Sequence, residues 1–372
     1  MVKTVRRPRA FRFLIAALAF GCFAPLANAE QVTPSGRVTT KLRVRADTAS
    51  DAEVVGYLKP GEKAELVKTV GAWREIKLTD TTGFVPSSYT TVVPDGQPPP
   101  STTTTTTLPM PEGANLTGNR HVLLGIPLDA DPSDDYLIDR EYWVASYNSG
   151  RLVPNWVSWE LVASDLGSLK RPKPEPFAED TALPSTMIHV GRNDYAGSGY
   201  DRGHMCPSAD RNTTRDVNTI TYLMTNMQPQ LPDLNRYPWK ALEDVERRLA
   251  GEGKQLQIIA GGVFPASPER IGTRKISVPS ANFKIIVVMG AGEKAADVTL
   301  STTVCSVIMP NRPEVKDKKW YEYLVSVDEI EKQTGYDFLR DVPDDVENVI
   351  EARVPTPQDC GAPASATKRG GP

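Results

Sequence analysis

Cysteine and histidine are scarce in this chain of 372 residues: there are four cysteines, three histidines (His121, His189 and His204) and no CxxC pair. A Cys/His zinc module, which needs such ligands in closely spaced pairs, is therefore excluded. A surplus of positive charge is also missing. The formal net charge is -3, and five of the 43 basic residues (Lys3, Arg6, Arg7, Arg9 and Arg12) lie in the first 29 residues, leaving 38 basic against 46 acidic groups beyond them. That balance excludes coating of nucleic acid or anionic membrane by bulk charge, so phosphate must be met by a local site or a metal. Long apolar runs are absent too. The one uncharged stretch of note, Phe13 to Ala24, is too short for an ordinary membrane-spanning helix.

What is present begins with that stretch. Basic residues, an apolar segment and the small residues Ala27-Asn28-Ala29 follow the order of a secretory signal, with cleavage expected before Glu30 and a destination in the periplasm or outside the cell. Export favours a disulfide among Cys206, Cys305 and Cys360. Cys305 with Cys360 is the favoured pair, although sequence leaves the pairing open.

The rest divides by composition. Residues 30–95 alternate apolar and polar positions between turns, as in Leu42-Arg43-Val44-Arg45 and Gly83-Phe84-Val85-Pro86, the pattern of a small β barrel. Residues 96–113 carry Pro98-Pro99-Pro100 and six threonines, Thr102 to Thr107, and read as an extended linker that transmits no packing. Each flanking unit is expected to fold without the other. Residues 114–358 mix strands (Asn155 to Trp159, Lys284 to Val288, Thr299 to Met309) with helices (Asn235 to Leu249, Val327 to Gln333, Asp344 to Ile350), which gives an α+β class. Residues 359–372 are expected to form a disordered tail.

The densest chemistry lies at Tyr200-Asp201-Arg202-Gly203-His204-Met205. Cleaving a phosphodiester needs a base for water and positive charge on the transition state. Histidine titrates near neutrality and arginine suits phosphate, so activity is expected to rise with pH through the ordinary imidazole range. Gly203 lets the backbone approach a substrate or take an unusual turn. Cys206, two places on, reads as a small buried thiol or half of a disulfide, since no second histidine stands near it in sequence. His121 and His189 read as ordinary residues.

Downstream stand Asn226-Met227-Gln228-Pro229-Gln230, Leu234-Asn235, Trp239 and Leu242-Glu243. Together with Asp201 to His204, these resemble the DNA/RNA non-specific endonucleases, a ββα-metal family that includes secreted bacterial nucleases and mitochondrial endonuclease G. The resemblance runs from about Asn155 to Asp345. It implies a mixed, largely antiparallel sheet with helices, hydrolysis of DNA and RNA with little sequence preference, and 5′-phosphate and 3′-hydroxyl ends. It also implies roles. His204 matches the general base, Asn235 the direct ligand of a hydrated Mg²⁺ for which Mn²⁺ can substitute, and Glu243 the holder of metal-bound water. Arg202 is implied at the transition state or substrate, with Asp201 and Asn226 supporting the geometry. A phosphate-binding arginine is implied upstream, where Arg171 fits and Arg151 and Arg192 are alternatives. The plain alternatives are a helix cap for Asn235 and a solvated helix position for Glu243.

The fragments of residues 30–95 resemble bacterial SH3-like domains, which implies a cell-wall ligand for the barrel. The rival reading of the whole chain is a cell-wall binding protein with an idle nuclease-like domain. Sequence is silent on the biological nucleic-acid target, on oligomeric state and on any inhibitor.

Overall fold

The computed structural model describes residues 30–35, 42–48, 52–59, 61–79, 81–94 and 116–363. The expected signal segment, the linker and most of the expected tail lie outside them. No helix among the described residues is long and apolar enough to cross a membrane.

Seven short strands build the first unit: β1 (Glu30–Pro34), β2 (Leu42–Arg45), β3 (Val54–Leu58), β4 (Ala64–Val70), β5 (Trp73–Lys77), β6 (Thr82–Pro86) and β7 (Thr90–Pro94). They form an antiparallel sheet in the order β3-β2-β6-β5-β4-β1-β7. Alternate residues point inward, so Val32, Leu42, Val44, Leu58, Ile76 and Val85 make a small core of their own. Both termini of this sheet, β1 and β7, pair with each other.

The larger unit is organised on a six-stranded antiparallel sheet. Its strands are β8 (Tyr136–Asp139), β9 (Val144–Asn148), β10 (Val153–Leu161), β13 (Gln255–Val263), β16 (Ala281–Met289) and β17 (Thr303–Pro310), in the order β17-β16-β13-β10-β9-β8. Two antiparallel ribbons complete the strand set: β11 (Asp201–His204) with β12 (Met227–Gln230), and β14 (Arg270–Ile271) with β15 (Ile276–Ser277). Because successive strand residues face opposite sides, the central strands feed two cores. Val157, Trp159, Leu161, Ile258 and Ile286 join one face with Trp239 and Leu242, while Trp156, Ile259, Phe283 and Ile285 join the other with Ile330, Phe338 and Ile350. Burial on both sides explains the continuous apolar run Ile285–Met289 in β16.

Among the described residues, five α-helices lie around this sheet: α1 (Arg215–Ile220), α2 (Pro232–Leu234), α3 (Lys240–Gly251), α4 (Val327–Thr334) and α5 (Asp344–Ala352). The helix expected over Asn235 to Leu249 begins earlier than its periodicity suggests. Pro232 occupies the first turn of α2, and a π-helical turn over Asn235–Trp239 carries the chain into α3. Pro238 lies inside that turn. Proline brings no N–H to a helix and crowds the preceding turn, and a widened turn is one of the ways a helix accommodates it.

One expectation is corrected, the start of the tail at residue 359. Cys360 is disulfide-bonded to Cys305, and Gly361 accepts a hydrogen bond from Arg248 at 2.8 Å. The ordered chain therefore continues past residue 358, because the disulfide ties this segment to β17. The two units also touch. Arg43 pairs with Asp345 at 2.8 Å, and the Tyr89 hydroxyl donates to Glu351 Oε2 at 3.3 Å.

Candidate active site

β11 and β12 pair in the register Asp201↔Gln230, Gly203↔Gln228 and His204↔Met227. The ribbon holds His204 beside Tyr222, edge to face at 4.9 Å, with the Phe177 ring at 5.6 Å. Asn226 fixes the backbone just beyond it. Its Oδ1 accepts from Cys206 N at 2.9 Å, and its Nδ2 donates to the Cys206 and Thr221 carbonyls, each at 2.8 Å. These bonds clamp the residues after His204.

His204 Nε2 is buried and makes no hydrogen bond to protein. Burial, reinforced by the positive charge of Arg171, carries the imidazole down to about 3, because a charged ring loses hydration and meets a like charge. The expected titration in the ordinary histidine range is thereby displaced toward acid. The ring is neutral at physiological pH, the state in which it can accept a proton.

A cavity of about 200 Å³ is lined by His204, Arg171, Asn235, Lys240, Glu243 and Arg247, among others. Four of these residues come from one helical stretch. Asn235 lies in the π turn with right-handed helical dihedrals, φ -59° and ψ -42°. Its side chain donates from Nδ2 to Asp201 Oδ2 at 2.9 Å, whereas an N-cap side chain accepts from a backbone N–H. Asn235 therefore does not N-cap the helix. With Nδ2 committed to Asp201, Oδ1 is the atom left to meet a cation, and a hard oxygen donor suits Mg²⁺. Asp201 is itself held by Arg236, which donates to both carboxylate oxygens at 2.8 and 2.6 Å.

Glu243 is not a solvated helix position: its side chain is 14% exposed. Burial, with the charges of Glu246 and Asp210, outweighs Lys284 and Arg247 and raises its carboxyl to about 7. Beneath it, the fully buried Lys284 pairs with the fully buried Glu246 at 3.0 Å and sits 4.4 Å from the centre of the Trp239 ring. Breaking such a pair leaves a buried charge uncompensated and costs more than the pair contributes, so it fixes this side of α3 against β16.

The remaining predicted residues separate. Arg171 lines the His204 cavity and pairs with Glu175. Arg202 does not line it. That guanidinium donates twice to the Arg192 carbonyl, at 3.0 and 2.6 Å, and lies 5.0 Å from the Phe177 ring centre. It borders a second cavity of about 290 Å³, which also contacts Arg171, Asp201, Asn235 and Arg236. Arg192 faces elsewhere, beside Asp194 and Arg274. Arg151 is bound to Asn155 and paired with Asp134. Cys206 is a free, buried thiol, and burial raises it away from the thiolate.

Three cationic residues of the site, Arg236, Lys240 and Arg247, escape the motif reading. Arg236 borders both cavities, and Arg247 donates to the buried Asp210 at 2.9 Å and to Asp244 at 2.6 Å while standing 3.9 Å from Glu243. The signal for Arg247 was its spacing of four residues from Glu243, which puts both on one helix face.

A neutral imidazole, a free amide oxygen, a buried carboxylate and arginines around one cavity define a hydrolase that acts on a polyanion. Residues 129–345 match the DNA/RNA non-specific endonuclease family and residues 40–91 the bacterial SH3 domain. The chain belongs to the DNA/RNA non-specific endonuclease family, and it is a nucleic-acid hydrolase carrying an N-terminal SH3-like domain. It is similar to a nuclease of Nostoc sp., 43% identical over 239 residues that cover 63% of this chain and 85% of the relative. Human mitochondrial endonuclease G is 28% identical over 217 residues, 55% of this chain and 70% of the relative. Among solved structures, the endonuclease in the EndoG/EndoGI complex, described as a mechanism of EndoG inhibition, gives a TM-score of 0.53 at 25% identity. That match covers 62% of this chain and 94% of the solved one.

Proposed function

We propose that the chain is an exported, Mg²⁺-dependent endonuclease in which His204 is the general base. The observation that carries this reading is that His204, with Nε2 unpartnered, shares one cavity with Asn235, Glu243 and Arg247. Asn235 Oδ1 would hold Mg²⁺, or Mn²⁺ in its place, with Glu243 acting through water, and the bound ion would supply Lewis-acid charge at the phosphate. His204 takes the proton of the attacking water at Nε2. Asp201 orients the Asn235 amide through Nδ2, and Arg236 in turn holds Asp201. Arg171 and Arg247 present positive charge toward phosphate, and Arg202 contacts the strand from the adjoining cavity. Charge directed at phosphate rather than at bases or the 2′-hydroxyl supports action on both DNA and RNA.

Residues 1–29 support export by their charge and hydropathy order, and the domain limits 30–95, 96–113 and 114 onward follow the composition. The SH3-like domain supports a cell-wall ligand. The deciding measurement is cleavage of supercoiled plasmid and of single-stranded RNA with Mg²⁺ and with EDTA, for the wild type and for His204→Ala. A loss of about 10²-fold to 10⁴-fold in the folded variant is the expected size for a general base, and retention of more than a tenth of the wild-type rate would overturn the assignment. Export is checked by locating the protein in cell fractions.

A further inference from the structure

The SH3-like sheet and the C-terminal helices enclose a second cavity, of about 520 Å³, far from the motif residues in sequence. Arg45, Trp73 and Tyr89 line it from the barrel, and Asp328, Glu331 and Asn348 from α4 and α5. Asp328 and Glu331 are three residues apart on α4, so they share a face. Glu351 of α5 reaches the same place. Carboxylate oxygens of Asp328, Glu331 and Glu351 all lie within 4.8 Å of one another, and two ligands on opposite sides of a calcium ion stand about 5 Å apart.

Glu351 supplies an independent observation. It is 0% exposed, and its Oε1 has no hydrogen-bond partner. Oε2 has only the 3.3 Å bond from Tyr89. A buried carboxylate oxygen with no donor is costly unless a proton or a cation meets it. Three nearby cations have partners elsewhere: Lys332 pairs with Glu329, Arg43 with Asp345 and Arg340 with Asp337. Asn348 gives its amide nitrogen to the Asp344 carbonyl, which leaves its oxygen as a further donor on the cavity wall.

We propose that Asp328, Glu331 and Glu351 bind a calcium ion at the junction of the SH3-like domain and the catalytic domain. The ion ties α4 to α5 and neutralises the acidic floor on which the barrel rests. Calcium suits the site better than magnesium, because it accepts irregular carboxylate shells of six to eight oxygens and sheds water readily. The site is separate from the His204 cavity, and no residue of the proposed catalytic machinery belongs to it.

Thermal unfolding of the full chain in EDTA and in millimolar CaCl₂ tests this, with Asp328→Asn and Glu351→Gln as variants. The catalytic cavity is unchanged in both, so any calcium effect arising there survives. The expected result is a calcium-dependent rise in Tm for the wild type that is at least halved in each variant. Tb³⁺ emission excited through Trp73 and Tyr89, and displaced by Ca²⁺, should fall in parallel. Should Glu351→Gln fail to fold, the exposed position of Asp328 keeps Asp328→Asn informative. An equal calcium-dependent rise in wild type and variants, or no rise in the wild type, overturns the proposal. So does a Glu351→Gln variant stabilised equally in EDTA and in calcium, which would show that a proton alone occupies the cluster.

Discussion

Gly203 owes its identity to a neighbour across the ribbon. A Cβ at this position would stand 2.2 Å from Gln230 Oε1, and Gln230 is itself fully buried with neither side-chain polar atom hydrogen-bonded. The close approach that the sequence suggests for a substrate is thus made by Gln230. Gly203→Ala should cost about 1–3 kcal/mol, the usual size of overpacking, and the cost should shrink in a Gln230→Ala background. Urea unfolding of the four proteins measures this, and additive losses would rule the contact out. A second residue-level consequence concerns His121, buried far from catalysis. Its Nε2 meets the Glu141 carbonyl at 2.8 Å and its Nδ1 accepts from Glu160 N at 3.1 Å, so both ring nitrogens are used by the neutral form. Burial, with Arg211 and Arg120, lowers it to about 3. The unfolded chain therefore binds a proton near pH 6.5 that the folded chain refuses. The contribution of His121 is intact above that pH and declines toward pH 3, by about 1.4 kcal/mol per pH unit. Raised carboxyls such as Glu243 act with the opposite sign, so the difference between wild type and His121→Gln isolates the effect. Their stability gap should narrow between pH 6 and pH 4 at close to that slope, and a gap independent of pH would contradict it.

At the scale of elements, the stretch Pro232 to Gly251 decides what the site can hold. Since Asn235 sits inside the helix and donates to Asp201, Asn235→Ala forfeits one hydrogen bond but gains a better helix former. Its stability should change by no more than about 1 kcal/mol, whereas activity at limiting Mg²⁺ should fall at least about 10²-fold if the amide oxygen carries the metal. Rate against Mg²⁺ concentration, with thermal unfolding as control, distinguishes the two effects. An unchanged metal dependence would move the ion elsewhere. Much of this element was readable from Trp239, Leu242, Val245 and Leu249 on one face, and the strand at Asn155 to Trp159 from its alternation. The π turn was not. It reflects how Pro238 is accommodated between two helical segments, a three-dimensional solution that a 3.6-residue period does not encode. Arg236 and Arg247 were hidden for a related reason: their importance lies in Asp201 and Asp210, which are 35 and 37 residues away. The SH3-like strands were legible from turn spacing, while their docking on α5 depends on surfaces that carry no local pattern.

For the whole molecule, the question is whether that docking matters to catalysis. Every residue lining the His204 cavity lies between Arg171 and Arg247, and the disulfide and all three apolar clusters of the larger domain are formed without residues 30–94. Removal of the barrel breaks two bonds between described residues of the two units that bear on α5. The Arg43–Asp345 pair is partly exposed, at 19% and 38%, and such pairs contribute about 0–1 kcal/mol. The Tyr89 bond to Glu351 is long, and a neutral donor contributes about 0.5–1.5 kcal/mol. Its loss also admits water to the acidic cluster, which offsets part of the cost by rehydrating the carboxylates. A fragment spanning residues 114–372 should therefore fold with its Cys305–Cys360 bond intact and cleave plasmid with a kcat/KM within a few-fold of the full chain. Its Tm should be modestly lower. Binding to cell-wall preparations, in contrast, should be lost with the barrel if that domain carries the ligand site. Kinetics, thermal unfolding and sedimentation with cell walls on the two proteins measure all three. A soluble, folded fragment that no longer cuts would mean that the barrel acts on the active site through α5, since none of its described residues lines the cavity.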